Sequence, residues 1–173
     1  MRFDTKYTHR GERRPGDGVV EKISNIMDQR CVRLELGASD KEGAIRELVQ
    51  LLADAGKISD VELCLSEVLA REKISSTGIG MGIAIPHRLI AGVGEIMMAV
   101  GRKSKGIPFD SVDGKPAHLF FLIIGQQGQI NEYLKVLGKL SRYLNDRSFF
   151  EALMKVKAPD EVIGLVKDRE NLV

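Results

Sequence analysis

Ala117 to Ile124 reads Ala-His-Leu-Phe-Phe-Leu-Ile-Ile, and its unbroken apolar stretch, Leu119 to Ile124, constrains the fold more than any other segment. Such a run is far shorter than the ~20 residues a membrane-spanning helix needs, and it reads instead as a buried strand. Glu95 to Gly101 has the same character, and the two are joined by a loop around Pro108 with a turn at Asp113-Gly114. Strands of this kind need amphipathic helices to cover them, and the rest of the chain supplies such helices.

Ser39 with Glu42 reads as a capping box ahead of an apolar stripe through Ala44, Ile45, Leu48, Leu51, Leu52 and Ala55, stopped by Gly56. Ser59 with Glu62 repeats the pattern before a second helix that turns Val61, Leu65, Val68 and Leu69 inward and ends near Arg71. Ile130, Tyr133, Leu134, Leu137, Leu140 and Leu144 mark a long amphipathic helix whose basic flank, Lys135, Lys139 and Arg142, is either a solvated face or a docking surface. Two short closing helices follow, one opened by a Ser148 to Glu151 box and one by Pro159. Upstream, Val19 to Met27 has helical spacing, and Cys31 to Leu36 alternates like a half-buried strand that Gly37 ends. These elements predict a mixed α/β sandwich.

A chain of 173 residues fits one domain, expected over residues 19–173. Residues 1–18 read as a disordered basic tail. They hold five cations (Arg2, Lys6, Arg10, Arg13, Arg14) against three carboxylates (Asp4, Glu12, Asp17), which accounts for the whole formal charge of +2. The remainder is formally neutral, so a nucleic-acid partner is not expected. The tail has no apolar stretch of the kind a secretory signal needs, and Cys31 and Cys64 form neither a disulfide framework nor a metal knuckle. A cytoplasmic location is expected, with no membrane span, no metal and no cofactor.

The segment Arg71 to His87 carries the chemistry. Gly78-Ile79-Gly80-Met81-Gly82-Ile83 lacks the third glycine and following helix of a dinucleotide fingerprint, and no Gly-Lys-Ser/Thr follows to make a P-loop. Glycines at this spacing either offer backbone N–H groups to an anion or simply make a tight turn. His87, stiffened by Pro86, follows an apolar strand and brings an imidazole that is largely neutral and nucleophilic near pH 7. His9 and His118 provide no ligand spacing for a metal. Arg71 brings a permanently charged fork suited to phosphoryl oxygens, and together the pair suggests phosphotransfer.

Arg71-Glu72-Lys73, Ser76-Thr77-Gly78-Ile79-Gly80 and Gly82-Ile83-Ala84-Ile85-Pro86-His87 resemble the enzyme IIA domain of the bacterial phosphoenolpyruvate-dependent phosphotransferase system, fructose/mannitol type, in its nitrogen-regulatory branch. Ser39-Asp40-Lys41, Ile107-Pro108-Phe109-Asp110 and Val112-Asp113-Gly114-Lys115-Pro116 extend the resemblance over most of 19–173. It implies a three-layer α/β sandwich, a mixed sheet of about five strands flanked by helices. It further implies His87 as phosphate acceptor, Arg71 as phosphate clamp, and Thr77, Gly78, Gly80 and Gly82 as phosphate-binding. The donor is then the histidine phosphocarrier protein, and the acceptor or target is either a regulated partner protein or a separate IIB domain of a sugar transporter. Where the family carries a second active-site histidine, this chain has Tyr133, within Glu132-Tyr133-Leu134. That substitution opens a third reading, a regulatory binder that takes no phosphate; Tyr133 is then either a phosphate contact or a core residue. His118 is a further candidate to stand in for the missing imidazole.

Overall fold

The computed structural model describes residues 22–172. The tail expected over 1–18 and the start of the helix expected over Val19 to Met27 lie outside them. In chain order the strands are β1 (Val32–Arg33), β2 (Gly78–Gly80), β3 (Ile83–Ala84), β4 (His87–Leu89), β5 (Met97–Ile107) and β6 (Ala117–Gly125). The helices are α1 (Lys41–Asp54), α2 (Val61–Ile74), α3 (Ile130–Leu144), α4 (Arg147–Lys155) and α5 (Pro159–Asn171).

The six strands form one mixed sheet in the order β1-β5-β6-β3-β2, with β4 also paired to β6. β5 and β6 are antiparallel, whereas β3 and β4 run parallel to successive parts of β6. The apolar run of β6 explains why two helical layers are needed. Phe120, Leu122 and Ile124 join a core with Leu48, Leu52 and Val68 of α1 and α2, while Leu119, Phe121 and Ile123 join another with Val136, Leu140, Phe149 and Val162 of α3 to α5. None of those six β6 side chains is more than 2% exposed, so both faces of the strand are sealed. The expected α/β sandwich is therefore the observed fold.

Several boundaries differ from expectation, each for a local reason. Between residues 22 and 27 the helical spacing resolves into a single 3-10 turn, Ile23–Ile26. The strand expected over Cys31 to Leu36 shrinks to β1, because Cys31 closes a 3-10 turn by donating its N–H to the Asp28 carbonyl. β5 runs on to Ile107 through the polar Lys103-Ser104-Lys105, with a register shift after Arg102 and a positive φ at Gly106. All three serine-based capping boxes are replaced by aspartates. Asp40, Asp60 and Asp146 accept from the N–H groups of Gly43, Leu63 and Ser148, because a carboxylate both accepts the bond and complements the positive end of the helix dipole. On α3, Ile130 and Leu134 are exposed while Val136 and Tyr143 are buried, so the core-facing stripe is rotated relative to the one expected. Of the basic flank, Lys135 and Arg142 are exposed and Lys139 is half-buried.

Arg102 joins the layers. Its Nε donates to the Leu34 carbonyl at 2.9 Å, and Nη1 reaches the carbonyls of Leu153, Met154 and Val156 at 3.1, 3.1 and 2.8 Å, capping the end of α4. Arg102→Ala is expected to cost about 2–3 kcal/mol in urea unfolding, since charge-assisted bonds are lost and α4 carbonyls are orphaned. An Arg102→Lys variant, with one ammonium in place of the fork, should recover only part of it.

Candidate functional site

His87 opens β4 on the edge of the sheet beside β6, aligned with Ile123, immediately after the break that Pro86 makes in the strand. Its Nδ1 lies 2.7 Å from the Ile85 carbonyl oxygen. A carbonyl has no proton to give, so Nδ1–H is the donor and Nε2 keeps its lone pair. Burial pushes the imidazole pKa below its ordinary value, and the Arg71 guanidinium adds to that; the Ile85 bond and the Glu72 carboxylate oppose it without reversing it. The result is a half-buried, neutral imidazole with a defined nucleophilic nitrogen.

A cavity of about 220 Å³ lies at this imidazole, with Arg71, Thr77, Ile79, Ile85 and, from α3, Leu137 and Ser141 among its lining. Arg71 comes from the last turn of α2, where its Nη1 donates to the Ser75 carbonyl at 3.0 Å. Thr77 is held from below by Glu72. One carboxylate oxygen of Glu72 accepts the Thr77 N–H at 2.8 Å, and the other accepts its hydroxyl at 2.6 Å. Lys41 of α1 completes the buried pair, with Nζ 2.7 Å from Glu72 and 4.9 Å from the centre of the Phe109 ring. The Thr77 carbonyl in turn accepts the Ile85 N–H at 3.0 Å. A continuous set of hydrogen bonds therefore runs from Glu72, ion-paired to Lys41, through Thr77 and Ile85 to Nδ1 of His87.

Arg71, Thr77 and His87 are thus brought together, and the three glycines are not among the residues lining their cavity. Gly78 allows close approach to Ser111, whose Oγ would clash with a Cβ there. Gly80 and Gly82 have φ of 86° and 81° and form the tip of the β2-β3 hairpin around Met81. Turn geometry or close packing is seen at each of the three positions.

Tyr133 sits in the first turns of α3, 5% exposed, with its ring centre 6.2 Å from that of His87. Burial raises its phenol pKa well above the ordinary value, so it stays protonated. Gly125 makes room for it, since a Cβ there would come within 2.9 Å of the Tyr133 ring. His118 does not stand in for the family's second histidine at this cavity. Its Nδ1 is 3.1 Å from the carbonyls of both Lys103 and Ser104, and it lines a different cavity with Gly82 and Phe150. Glu72 and Ile85 stand in the motifs around Arg71 and His87 without a role assigned from the sequence, and Ser141 stands outside them. For Glu72 a signal existed: Leu65, Val68 and Glu72 follow helical spacing, which puts a carboxylate on the buried face of α2.

Residues 25–169 match the family model described as phosphoenolpyruvate-dependent sugar phosphotransferase system, EIIA 2. The chain belongs to this family. A fructose-specific EIIA component of Haloferax volcanii is 36% identical over 83% of this chain and 93% of its own length. A fructose-specific EIIABC component of Bacillus subtilis is also 36% identical over 86% of this chain, which spans only 24% of that relative. The crystal structure of nitrogen regulatory protein IIA-Ntr from Neisseria meningitidis superposes with a TM-score of 0.79 at 32% identity, covering 83% of this chain and 98% of that one. The EIIA fold is thus shared with sugar-specific and nitrogen-regulatory members alike. Among the described residues no helix is long and apolar enough to cross a membrane.

Proposed function

We propose that this chain is a phosphohistidine carrier in which His87 accepts the phosphoryl group of the histidine phosphocarrier protein, and that its phosphorylation state governs binding to a regulated partner. The observation that carries the reading is the Nδ1–H bond from His87 to the Ile85 carbonyl, which leaves Nε2 as the only ring nitrogen able to attack. Nε2 gives its lone pair to phosphorus as the donor's P–N bond breaks, the leaving imidazole takes that bond's electron pair, and the Nδ1 proton stays where it is. Arg71 steadies the equatorial oxygens and the Tyr133 ring, 6.2 Å from that of His87, brings a phenol donor, while Thr77, whose N–H and hydroxyl are both given to Glu72, shapes the cavity wall. The exposed apolar side chains of Ile79, Ile130 and Leu134 supply a contact surface for a protein partner. A phosphoryl group adds about −1.5 to −2 of charge, enough to admit or reject that partner. The test is direct: phosphoenolpyruvate, enzyme I and the histidine phosphocarrier should label wild type but not His87→Gln.

A second reading has an observation in its favour, the 36% identity to fructose-specific components. In it, His87 passes its phosphoryl group to a separate IIB domain. Rapid loss of label to a fructose-type IIB would favour this route, and retention of label with phosphorylation-dependent capture of a partner would favour the regulatory one.

Tyr133 distinguishes this site from members with a second histidine. A protonated phenol donates one hydrogen bond and brings no cationic charge. Tyr133→His is therefore expected to speed phosphorylation, by up to about 100-fold if imidazolium supplies the missing electrostatic contact. Tyr133→Phe should slow it, and identical rates in all three proteins would remove Tyr133 from the site.

The pH dependence has a defined sign. Because the folded pKa of His87 lies below its unfolded value, the unfolded chain binds more protons as pH falls through about 6.5. Stability then declines on acidification through that window down to the folded pKa. Urea unfolding between pH 5 and 7.5 should show a shallower decline for His87→Gln than for wild type, and phosphate acceptance should stay level through pH 6.5 before it falls.

A further inference from the structure

At the tip of the same hairpin that walls the His87 cavity lies a separate cavity of about 740 Å³, a size that suits a small organic ligand. The two share no lining residue but are joined through β2-β3. Ile79 borders the first and Met81 and Gly82 border the second. Opposite the hairpin, α4 presents Arg147, Phe150 and Met154, which are one helix face at positions i, i+3 and i+7. The loop between β5 and β6 contributes Lys115 and Pro116.

This lining combines an apolar body with a surplus of positive charge. Phe150 is buried, and the Arg147 guanidinium lies over its ring at 4.4 Å, so the cation is held beside the apolar wall. Asp113, the one carboxylate in the lining, is turned toward the backbone and stays ionised, Oδ2 accepting the Met81 N–H and Oδ1 the Lys115 N–H, each at 3.0 Å. It offsets one of the two cations, Lys115 and Arg147, and leaves a surplus of one. Glu151 approaches Arg147 at 3.5 Å, but both are well exposed, and such a pair is weakly held. A side chain at Gly82 would be strained, because its φ is 81° and a Cβ would meet the Phe150 ring at 3.0 Å.

We propose that this cavity binds a small organic anion with an apolar body, of the arylalkyl carboxylate type, its carboxylate between Arg147 and Lys115 and its body against Met81, Phe150 and Met154. The occupant acts on the hairpin. Met81 is a non-glycine residue at φ 59°, a conformation held by the Asp113 bond, and a ligand packed on it bears directly on the segment running back to Ile79 and Thr77. An effect on phosphate acceptance rests on the reading of His87 given above; the binding itself does not.

The test is an amide-resolved NMR titration of the unphosphorylated protein with 3-phenylpropionate. Expected are saturable shifts at Met81, Gly82, Lys115 and Phe150, with a Kd of about 1 mM or tighter. Arg147→Ala and Lys115→Ala, both exposed positions, should each weaken binding at least about fivefold. The uncharged 3-phenylpropanol should bind at least about tenfold more weakly. No saturation by about 10 mM, equal binding of the alcohol, or shifts centred on His87 and Thr77 instead would overturn the proposal. Because the titration reads the hairpin and α4 directly, its failure leaves the His87 reading intact, and failure of His87 to accept phosphate leaves this site intact.

Discussion

Glu72→Ala is expected to lower stability by about 2–4 kcal/mol in urea unfolding, the scale for losing hydrogen bonds to a buried charged acceptor while the half-buried Lys41 loses its nearer partner. The Lys41 ammonium would lose its 2.7 Å partner, and the Thr77 N–H and hydroxyl would lose their acceptors inside the protein. The exposed Asp110 carboxylate, 3.4 Å from Lys41, offers little compensation. A second consequence separates this residue from ordinary core support. Thr77 anchors Ile85, and Ile85 fixes which His87 nitrogen carries the proton. Removing the Glu72 charge also removes an influence that raises the His87 pKa, so that pKa should move further down. A Lys41→Met/Glu72→Met double variant should regain much of the stability, because apolar replacement of a buried pair is commonly near neutral. It should not regain the wild-type His87 titration or its preference for Nδ1–H, both readable by 15N NMR. Restoration of both would limit Glu72 to a structural role.

Arg71→Ala carries the other large effect, a fall in phosphate acceptance of about 100- to 1,000-fold with the fold retained. Its one described hydrogen bond is to the Ser75 carbonyl at the end of α2, a contact whose loss is cheap beside the loss of a cation at a transferring phosphoryl group. Arg71→Lys keeps the charge but not the planar fork, and should fall between the two. The Arg71 charge also depresses the His87 pKa, so the acid limb of the rate profile should move to higher pH in Arg71→Ala. An unchanged rate in this variant would remove Arg71 from the chemistry.

The sequence made the layers legible because the β6 run is apolar at every position, which only a strand covered on both faces tolerates. His87, Arg71 and Thr77 were legible for a different reason, a dense local motif that the fold turns into one cavity. The capping aspartates were hidden by neighbouring serines, since Ser39-Asp40 and Ser59-Asp60 each offer two good caps and the sequence does not rank them. The far half of β5 was hidden by its own polarity, because Lys103 and Ser104 are held by Glu35 and the Leu36 carbonyl rather than by apolar burial. The glycines suggested a phosphate cradle because the same residue suits anion binding and tight turns, and the sequence does not show that Phe150 and Ser111 pack against them.

The most direct test is the position of the phosphate. Wild-type protein incubated with phosphoenolpyruvate, enzyme I and the histidine phosphocarrier should acquire an acid-labile phosphoryl group on Nε2 of His87, assigned by 15N NMR, with Nδ1 still protonated. A wild type that stays unmodified while Tyr133→His accepts phosphate, or a phosphoryl group found on Nδ1 or on another side chain, would contradict the account.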